Sequence, residues 1–146
     1  MTTTIERAGT ADVPAILALL EQNRLPLDGL TDHVATALIA RVDGRVVGSA
    51  ALETYADGVL LRSVAVAPHL QHQGLGRQLT DAALRLASEM HAPAVYLLTT
   101  TAERYFPKFG FERVSRADVP PSIQRSIEFT SACPSSAIVM RRAFGV

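Results

Sequence analysis

Apolar positions along this chain recur with two periods. From residue 75 to about residue 90, Leu75, Leu79, Ala83, Leu86 and Met90 fall at spacings of three and four, which places them on one face of a helix. Ile16, Leu17, Leu19 and Leu20 mark the buried face of an earlier helix; Thr10 or Asp12 can cap it, and Pro14 suits its first turn. Pro26 and Gly29 stop it, and residues 24–34 read as a polar, turn-rich stretch that covers an open edge or a substrate mouth, or is a plain connection. Continuous β-rich runs at 60–67 and 94–99 suit buried strands. Runs at 36–42 and 46–53 flank Asp43-Gly44, a strong hairpin signal, and Asp57-Gly58 is a second one leading into residue 60. Shorter strands are expected at 2–7, 111–115 and 137–142. The spacing of Thr100 and Glu103 predicts a short helix disturbed by Pro107 and ended by Gly110, and residues 120–130 predict another that starts at Pro120 or Pro121. Three strands in antiparallel sequence therefore precede a strand–helix–strand unit, whose spacing implies a parallel, right-handed crossover.

The centre of this pattern is residues 60–90. A strand ends at Pro68, Gln71-His72-Gln73-Gly74-Leu75-Gly76 follows, and the long helix begins. Such a turn points backbone N–H groups outward at the positive end of a helix, and glycine lets a ligand approach where a Cβ would block it. The chemistry is that of an anion site suited to phosphate or pyrophosphate, set against a turn with two incidental glycines. No lysine follows Gly76, as a P-loop requires. A dinucleotide fingerprint needs three glycines in the first strand–helix unit, and here two sit mid-chain.

Gln71, Gly74 and Gly76 match the Gln/Arg-x-x-Gly-x-Gly/Ala signature of the GCN5-related N-acetyltransferases (GNAT). Ser63-Val64-Ala65-Val66-Ala67-Pro68 resembles that family's fourth strand, and Lys108-Phe109-Gly110-Phe111 its late K-x-G-F turn. The resemblance spans nearly the whole chain in order. It implies one α/β domain over residues 1–146: a mixed sheet of about seven strands, helices on both faces, and fourth and fifth strands that splay apart. It implies acetyl-CoA as cosubstrate, held in that wedge. By resemblance, the backbone of Val64, Ala65 and Val66 meets the pantetheine amides, and the N–H near Val64 polarises the thioester carbonyl. Gln71, His72, Gln73, Gly74, Leu75, Gly76 and Arg77 hold the pyrophosphate, chiefly through backbone N–H groups, with charge from His72 and Arg77 set against a plain solvated role for those two side chains.

Composition narrows the partners. With 146 residues the chain is one domain by size, and it carries 14 Lys+Arg against 14 Asp+Glu, so no electrostatic case exists for nucleic acid or a membrane surface. Its single cysteine, Cys133, excludes an intrachain disulfide and a thiolate zinc site, and no metal is expected. No apolar run is long enough to span a bilayer, and residues 1–5 lack a leader's pattern, so a cytosolic location is the default.

The implied reaction is attack of a neutral amine on the thioester, which needs a proton acceptor for the amine and an acid for the thiolate. Glu53, ending the third strand, is the candidate base or ammonium-binding group. Arg62 lies inside an apolar strand run and needs a carboxylate partner, either Glu53 or a substrate carboxylate. Many family members carry a tyrosine four residues before the glycine of the K-x-G-F turn. Here that position is Phe106, and Tyr105 stands one place earlier, a rotation of about 100° on a helix. Tyr105 is the nominal acid, against thiolate release without one. Residues 96–102, with Phe106 and Gly110-Phe111, and the tail segments 119–123, 128–129 and 133–137 also resemble an arsenic-resistance-associated subgroup akin to N-acetylglutamate synthase acetyltransferase domains. That implies a small amino-acid-like substrate, with an organoarsenical amino acid among the candidates, and not arsenite, which wants more thiolates than Cys133 supplies. Cys133 itself reads as structural. A homodimer covering the wedge is plausible for the family. The alternatives are a non-catalytic acyl-CoA-binding or sensing module and a protein or peptide N-acetyltransferase.

Overall fold

Asp43 and Gly44 both adopt left-handed backbone, with φ of 52° and 79°, and this tight turn folds Ala37–Val42 (β2) antiparallel onto Arg45–Tyr55 (β3). In the computed structural model, which describes residues 3–132 and 136–144, Thr3–Arg7 (β1) pairs with the other edge of β2. Strand β3 turns back as Gly58–Val66 (β4). This second turn lies one residue earlier than Asp57-Gly58 suggests: Tyr55 pairs with Gly58, leaving Ala56 and Asp57 as the loop. Gly58 opens the strand, and glycine suits it there because a Cβ would sit 3.0 Å from the Ala94 carbonyl oxygen. Leu75–Glu89 (α2) then crosses to Ala94–Thr99 (β5), parallel to β4. Glu112–Val114 (β6) and Ile138–Ala143 (β7) complete a seven-stranded mixed sheet of order β1-β2-β3-β4-β5-β7-β6.

Val13–Gln22 (α1) and α2 cover opposite faces of the sheet. Successive strand residues point to opposite sides. A Cβ on Gly48 would stand 2.6 Å from Leu79 of α2, whereas its neighbour Val47 shares a groove with Leu19 of α1. On α1, Ile16, Leu19 and Leu20 are buried and Leu17 is half-buried. Neither expected cap bonds the helix: Thr10 opens a short 3-10 turn, and the Asp12 carboxylate accepts the Gly9 N–H and an Arg41 guanidinium bond instead. The buried face of α2 is Leu75, Leu79, Thr80, Ala83, Leu84 and Ala87; Leu86 is half-buried and Met90 exposed. The expected stripe thus holds for the first two turns and then shifts to its neighbour, because 3.6 residues per turn drifts off strict threes and fours.

Two expected helices are absent or shortened. No helix begins at Thr100; the Thr99 hydroxyl accepts the Ala102 N–H, and a 3-10 segment follows at Phe106–Phe109. Pro107 lacks an N–H and disfavours the α conformation in the residue before it. The 120–130 helix reduces to one turn, Pro121–Gln124 (α3), followed by a π turn at Glu128–Ala132. Ile123 of α3 closes a second small core over Leu60, Ala94, Tyr96 and Val139. Residues 24–34 are not a bare loop: Leu30–Thr36 forms a 3-10 helix with Leu30 and Val34 buried. Cys133 lies outside the described residues.

Candidate active site

The parallel ladder between β4 and β5 breaks off early. It pairs Val59 with Val95 and Leu60 with Tyr96, and then stops, although β4 runs on to Val66 and β5 to Thr99. From residue 61 onward the two strands face a gap, and the backbone along it has no ladder partner from β5. Buried backbone groups need partners, so such a gap suits an extended ligand rich in amides.

A β-bulge in β4 shapes this gap. Ser49 pairs with Ala65 and Ala51 with Arg62, so Ser63 and Val64 together oppose Ala50. Ser63 takes φ 60°, a strained value for a residue with a side chain. Ser49 Oγ donates to the Ser63 carbonyl at 2.7 Å, and Arg62 Nε donates to Ser63 Oγ at 3.0 Å. These bonds lock the bulge that sets the direction of Val64.

Arg62 and Glu53 stand behind the bulge. Arg62 Nη1 donates to Glu53 Oε2 at 2.9 Å, and both side chains are fully buried. Nη1 also donates to the Asp28 carbonyl (2.6 Å) and Nη2 to the Pro26 carbonyl (3.2 Å), within the turn-rich stretch that covers it. Glu53 also accepts from Tyr55 Oη at 2.6 Å and from Ser126 Oγ, and His33 Nε2 lies 3.8 Å away. Burial pushes the Glu53 carboxyl up, but the bonds from Ser126, Tyr55 and Arg62, with His33 beside it, outweigh burial and hold it below its ordinary value. Burial, reinforced by the bond to Glu53, pushes the Tyr55 hydroxyl up to about 12. Of the two partners open to Arg62, the internal one is in place. As folded, Arg62 has its donors engaged by the protein and Glu53 has its carboxylate engaged by donors, so neither presents a ready contact to a substrate. A depressed, enclosed carboxylate is also a weak proton acceptor.

The glycine turn lies at the mouth of the gap. His72 and Gly74 both have left-handed backbone, φ 66° and 87°, and residues 71–74 are exposed. Nothing lies within 4 Å of where a Gly74 Cβ would be. The missing Cβ of Gly76 would sit 3.7 Å from a Val66 methyl, on β4, and 3.4 Å from the Tyr105 hydroxyl, beyond β5. Leu75 is buried under the helix, whereas Gln73 and Arg77 are exposed. Gln71 uses its side-chain amide inward: Nε2 donates to the Val66 carbonyl and to Asn23 Oδ1, both at 3.1 Å. Asn23 Nδ2 donates to the same carbonyl at 3.2 Å. The Val66 carbonyl is therefore already engaged, while Val64 and Ala65 face the gap without a β5 partner.

The one-place shift of the tyrosine is accommodated by the 3-10 segment. Phe106 is buried with Phe111 (ring centroids 5.7 Å apart), while Tyr105 packs edge-on against Phe106 and sends its hydroxyl toward Gly76. Burial raises the Tyr105 pKa, only partly opposed by a bond with Thr80, so the hydroxyl keeps its proton at neutral pH.

The model of the acetyltransferase (GNAT) domain family matches residues 33–113, more than half of the chain. The chain belongs to the GNAT acetyltransferase family. The expected fold class holds with it, as do the acyltransferase class and acetyl-CoA as the cosubstrate. An amino-acid acetyltransferase of Mycobacterium tuberculosis is 30% identical over 82% of this GNAT chain and 74% of its own length. Another from Neisseria meningitidis serogroup A is 29% identical over 94% of this chain. The chain spans about a third of the length of that Neisseria relative. The N-acetylglutamate synthase of Neisseria gonorrhoeae, solved with coenzyme A and N-acetyl-glutamate, superposes with a TM-score of 0.84 at 24% identity, over 100% of this chain and 36% of its own.

Sequence reasoning did not find Ser126, His33 or Ser63. Tyr55 was within reach, since it lies two residues from Glu53 on the same face of a strand. Ser126 and His33 come from distant segments and carry no local signal. Among the described residues no group of His, Cys, Asp and Glu could hold a metal ion, and no helix is long and apolar enough to cross a membrane.

Proposed function

We propose that this chain transfers the acetyl group of acetyl-CoA to the amine of a small amino-acid-like substrate. The observation that carries the reading is the gap between β4 and β5, open beyond Leu60 and Tyr96 and closed at its mouth by the glycine turn. Acetyl-CoA supplies the activated acyl group. Val64 and Ala65 offer backbone groups to the pantetheine arm, and the N–H near Val64 is the donor aimed at the thioester oxygen. The exposed turn from Gln71 to Arg77 receives the pyrophosphate on N–H groups, while the Gln71 side chain braces the end of β4. Tyr105, protonated and beside Gly76, is the acid for the departing thiolate. Arg62 and Glu53 act behind the site: they fix the bulge that directs Val64.

The amino-acid acceptor is supported by the relatives, which are amino-acid acetyltransferases from Mycobacterium and Neisseria. An organoarsenical amino acid belongs to the same chemical class and is carried in this reading on the subgroup resemblance. A homodimer is carried on the family resemblance, and a cytosolic location is carried as the default expectation. The non-catalytic alternative rested on the displaced tyrosine, and the reach of Tyr105 to Gly76 weighs for the enzyme. The test is thiol release from acetyl-CoA over a panel of α-amino acids, an arsenical amino acid and short peptides. Turnover with free amino acids is expected. Binding of coenzyme A with no turnover on any amine would overturn the enzyme reading, and turnover on peptides alone would overturn the acceptor.

A further inference from the structure

A second concavity flanks α2 beside the K-x-G-F turn. It encloses about 380 Å³ and is lined by Arg77 and Asp81 of α2, Lys108 and Gly110 of the K-x-G-F turn, and Arg142 of β7, over Leu84 and Phe109. Three cations and one carboxylate meet there. Among the described residues, none of the three cations has a carboxylate oxygen within ion-pair distance, whereas Arg41, Arg62, Arg113 and Arg141 all do. Like charges repel across a small cleft unless an anion sits between them. Two of the cations are held in place. Lys108 Nζ lies 4.0 Å over the Tyr105 ring, and Arg142 lies against the Phe144 ring at 5.3 Å. Gly110 (φ 89°) leaves the space beside Arg142, since a Cβ would stand 3.2 Å from its Nε.

This cleft joins the glycine turn through Tyr105, which touches Gly76 with its hydroxyl and Lys108 with its ring. We infer that the cleft binds a phosphomonoester, the 3′-phosphate on the ribose of coenzyme A, through Lys108, Arg142 and Arg77. The inference rests on the acetyl-CoA reading and extends it. With the pyrophosphate on the N–H groups of the turn, the remaining charged group of the cosubstrate is that phosphate, and this is the cationic recess next to the turn. Lys108 and Arg142 lie beyond the turn's own residues and set the preference for coenzyme A over its 3′-dephospho form. Asp81, which also lines the cleft, weakens anion binding there and so leaves the three cations to outweigh it.

Calorimetry on the full chain tests it with coenzyme A, 3′-dephospho-coenzyme A and inorganic phosphate. The wild-type protein is expected to bind coenzyme A about tenfold more tightly than the dephospho form, as loss of charge-assisted bonds at a partly exposed site implies. Lys108→Ala, at an exposed position, shrinks that ratio to about threefold, and Lys108→Ala/Arg142→Gln brings it near one. In turnover assays the same variants raise the KM for acetyl-CoA but not for acetyl-dephospho-coenzyme A, with the acceptor KM unchanged. Equal binding of the two coenzymes by the wild type, or a ratio unmoved in Lys108→Ala, overturns the inference while leaving the pantetheine site standing. Saturation of the cleft by inorganic phosphate without any effect on coenzyme A affinity also overturns it, and points to a separate phosphate site. Failure to bind either coenzyme would instead overturn the acetyl-CoA reading itself.

Discussion

Replacing Arg62 by methionine tests the buried pair behind the bulge. Methionine fills the space of the aliphatic stem but removes the guanidinium from a site where both partners are wholly enclosed. Glu53 then keeps Tyr55 and Ser126 as donors and loses its buried cation. The carbonyls of Pro26 and Asp28 and the Ser63 hydroxyl each lose the donor that Arg62 supplied. Breaking a buried pair from one side costs roughly 3–5 kcal/mol, since the remaining charge has nowhere to go. At roughly 2–4 °C per kcal/mol, the melting midpoint falls by about 6–20 °C. The pH dependence changes as well. In the native protein the Glu53 carboxyl lies below its ordinary value of 4.5. Its contribution to stability is complete above that value and is lost as pH falls through the lower, folded pKa. Without Arg62, one of the bonds that hold the carboxyl down is lost while burial stays, so the carboxyl moves up from its wild-type position. The variant then takes up the proton more readily than the wild type, and the stability gap between the two narrows as pH drops from 7 toward 5. The assay is urea unfolding at both pH values, with Arg62→Met/Glu53→Gln as the companion. That double variant regains part of the loss at pH 7, because Glu53 no longer carries a charge there, although Glu128, 3.8 Å from Arg62 Nε in the wild type, also loses that cation. A single variant within about 1 kcal/mol of wild type, or a double variant no more stable than the single one, would refute the reasoning.

Three shorter predictions concern the gap and the sheet. Gly76→Ala places a methyl between Val66 and Tyr105 at ordinary contact distances; stability stays within about 0.5 kcal/mol of wild type, while coenzyme A affinity falls by calorimetry. Tyr105→Phe keeps the ring packing and lowers kcat by about a hundredfold with little change in the acetyl-CoA KM; an unchanged kcat would show that the thiolate leaves without an acid. Gly48→Ala drives a Cβ to 2.6 Å from Leu79, and this crowding between β3 and α2 costs about 1–3 kcal/mol in chemical denaturation.

Much of this architecture was legible from the chain alone. Alternating and continuous apolar runs located all seven strands, because side-chain period and burial are local consequences of strand geometry. Asp43-Gly44 marked its hairpin through backbone preference, and Gly74 marked the left-handed turn that opens α2 through the freedom of glycine. Where the local signal conflicted with proline, it failed: the capping-box spacing at Thr100 and Glu103 lost to Pro107. Only the folded chain decided the rest. The partner of Arg62 was ambiguous in sequence because its cage comes from segments far apart, at Pro26, Glu53 and Ser126. The reach of Tyr105 depended on a 3-10 segment that changes the side-chain rotation a helix would impose. The meeting of Arg77, Lys108 and Arg142 beside α2 needed three elements brought together by the crossover and the return of β7. Local propensity acts over a few residues, whereas charge pairing, enclosure and the early end of the β4–β5 ladder are set by packing between elements distant in the chain.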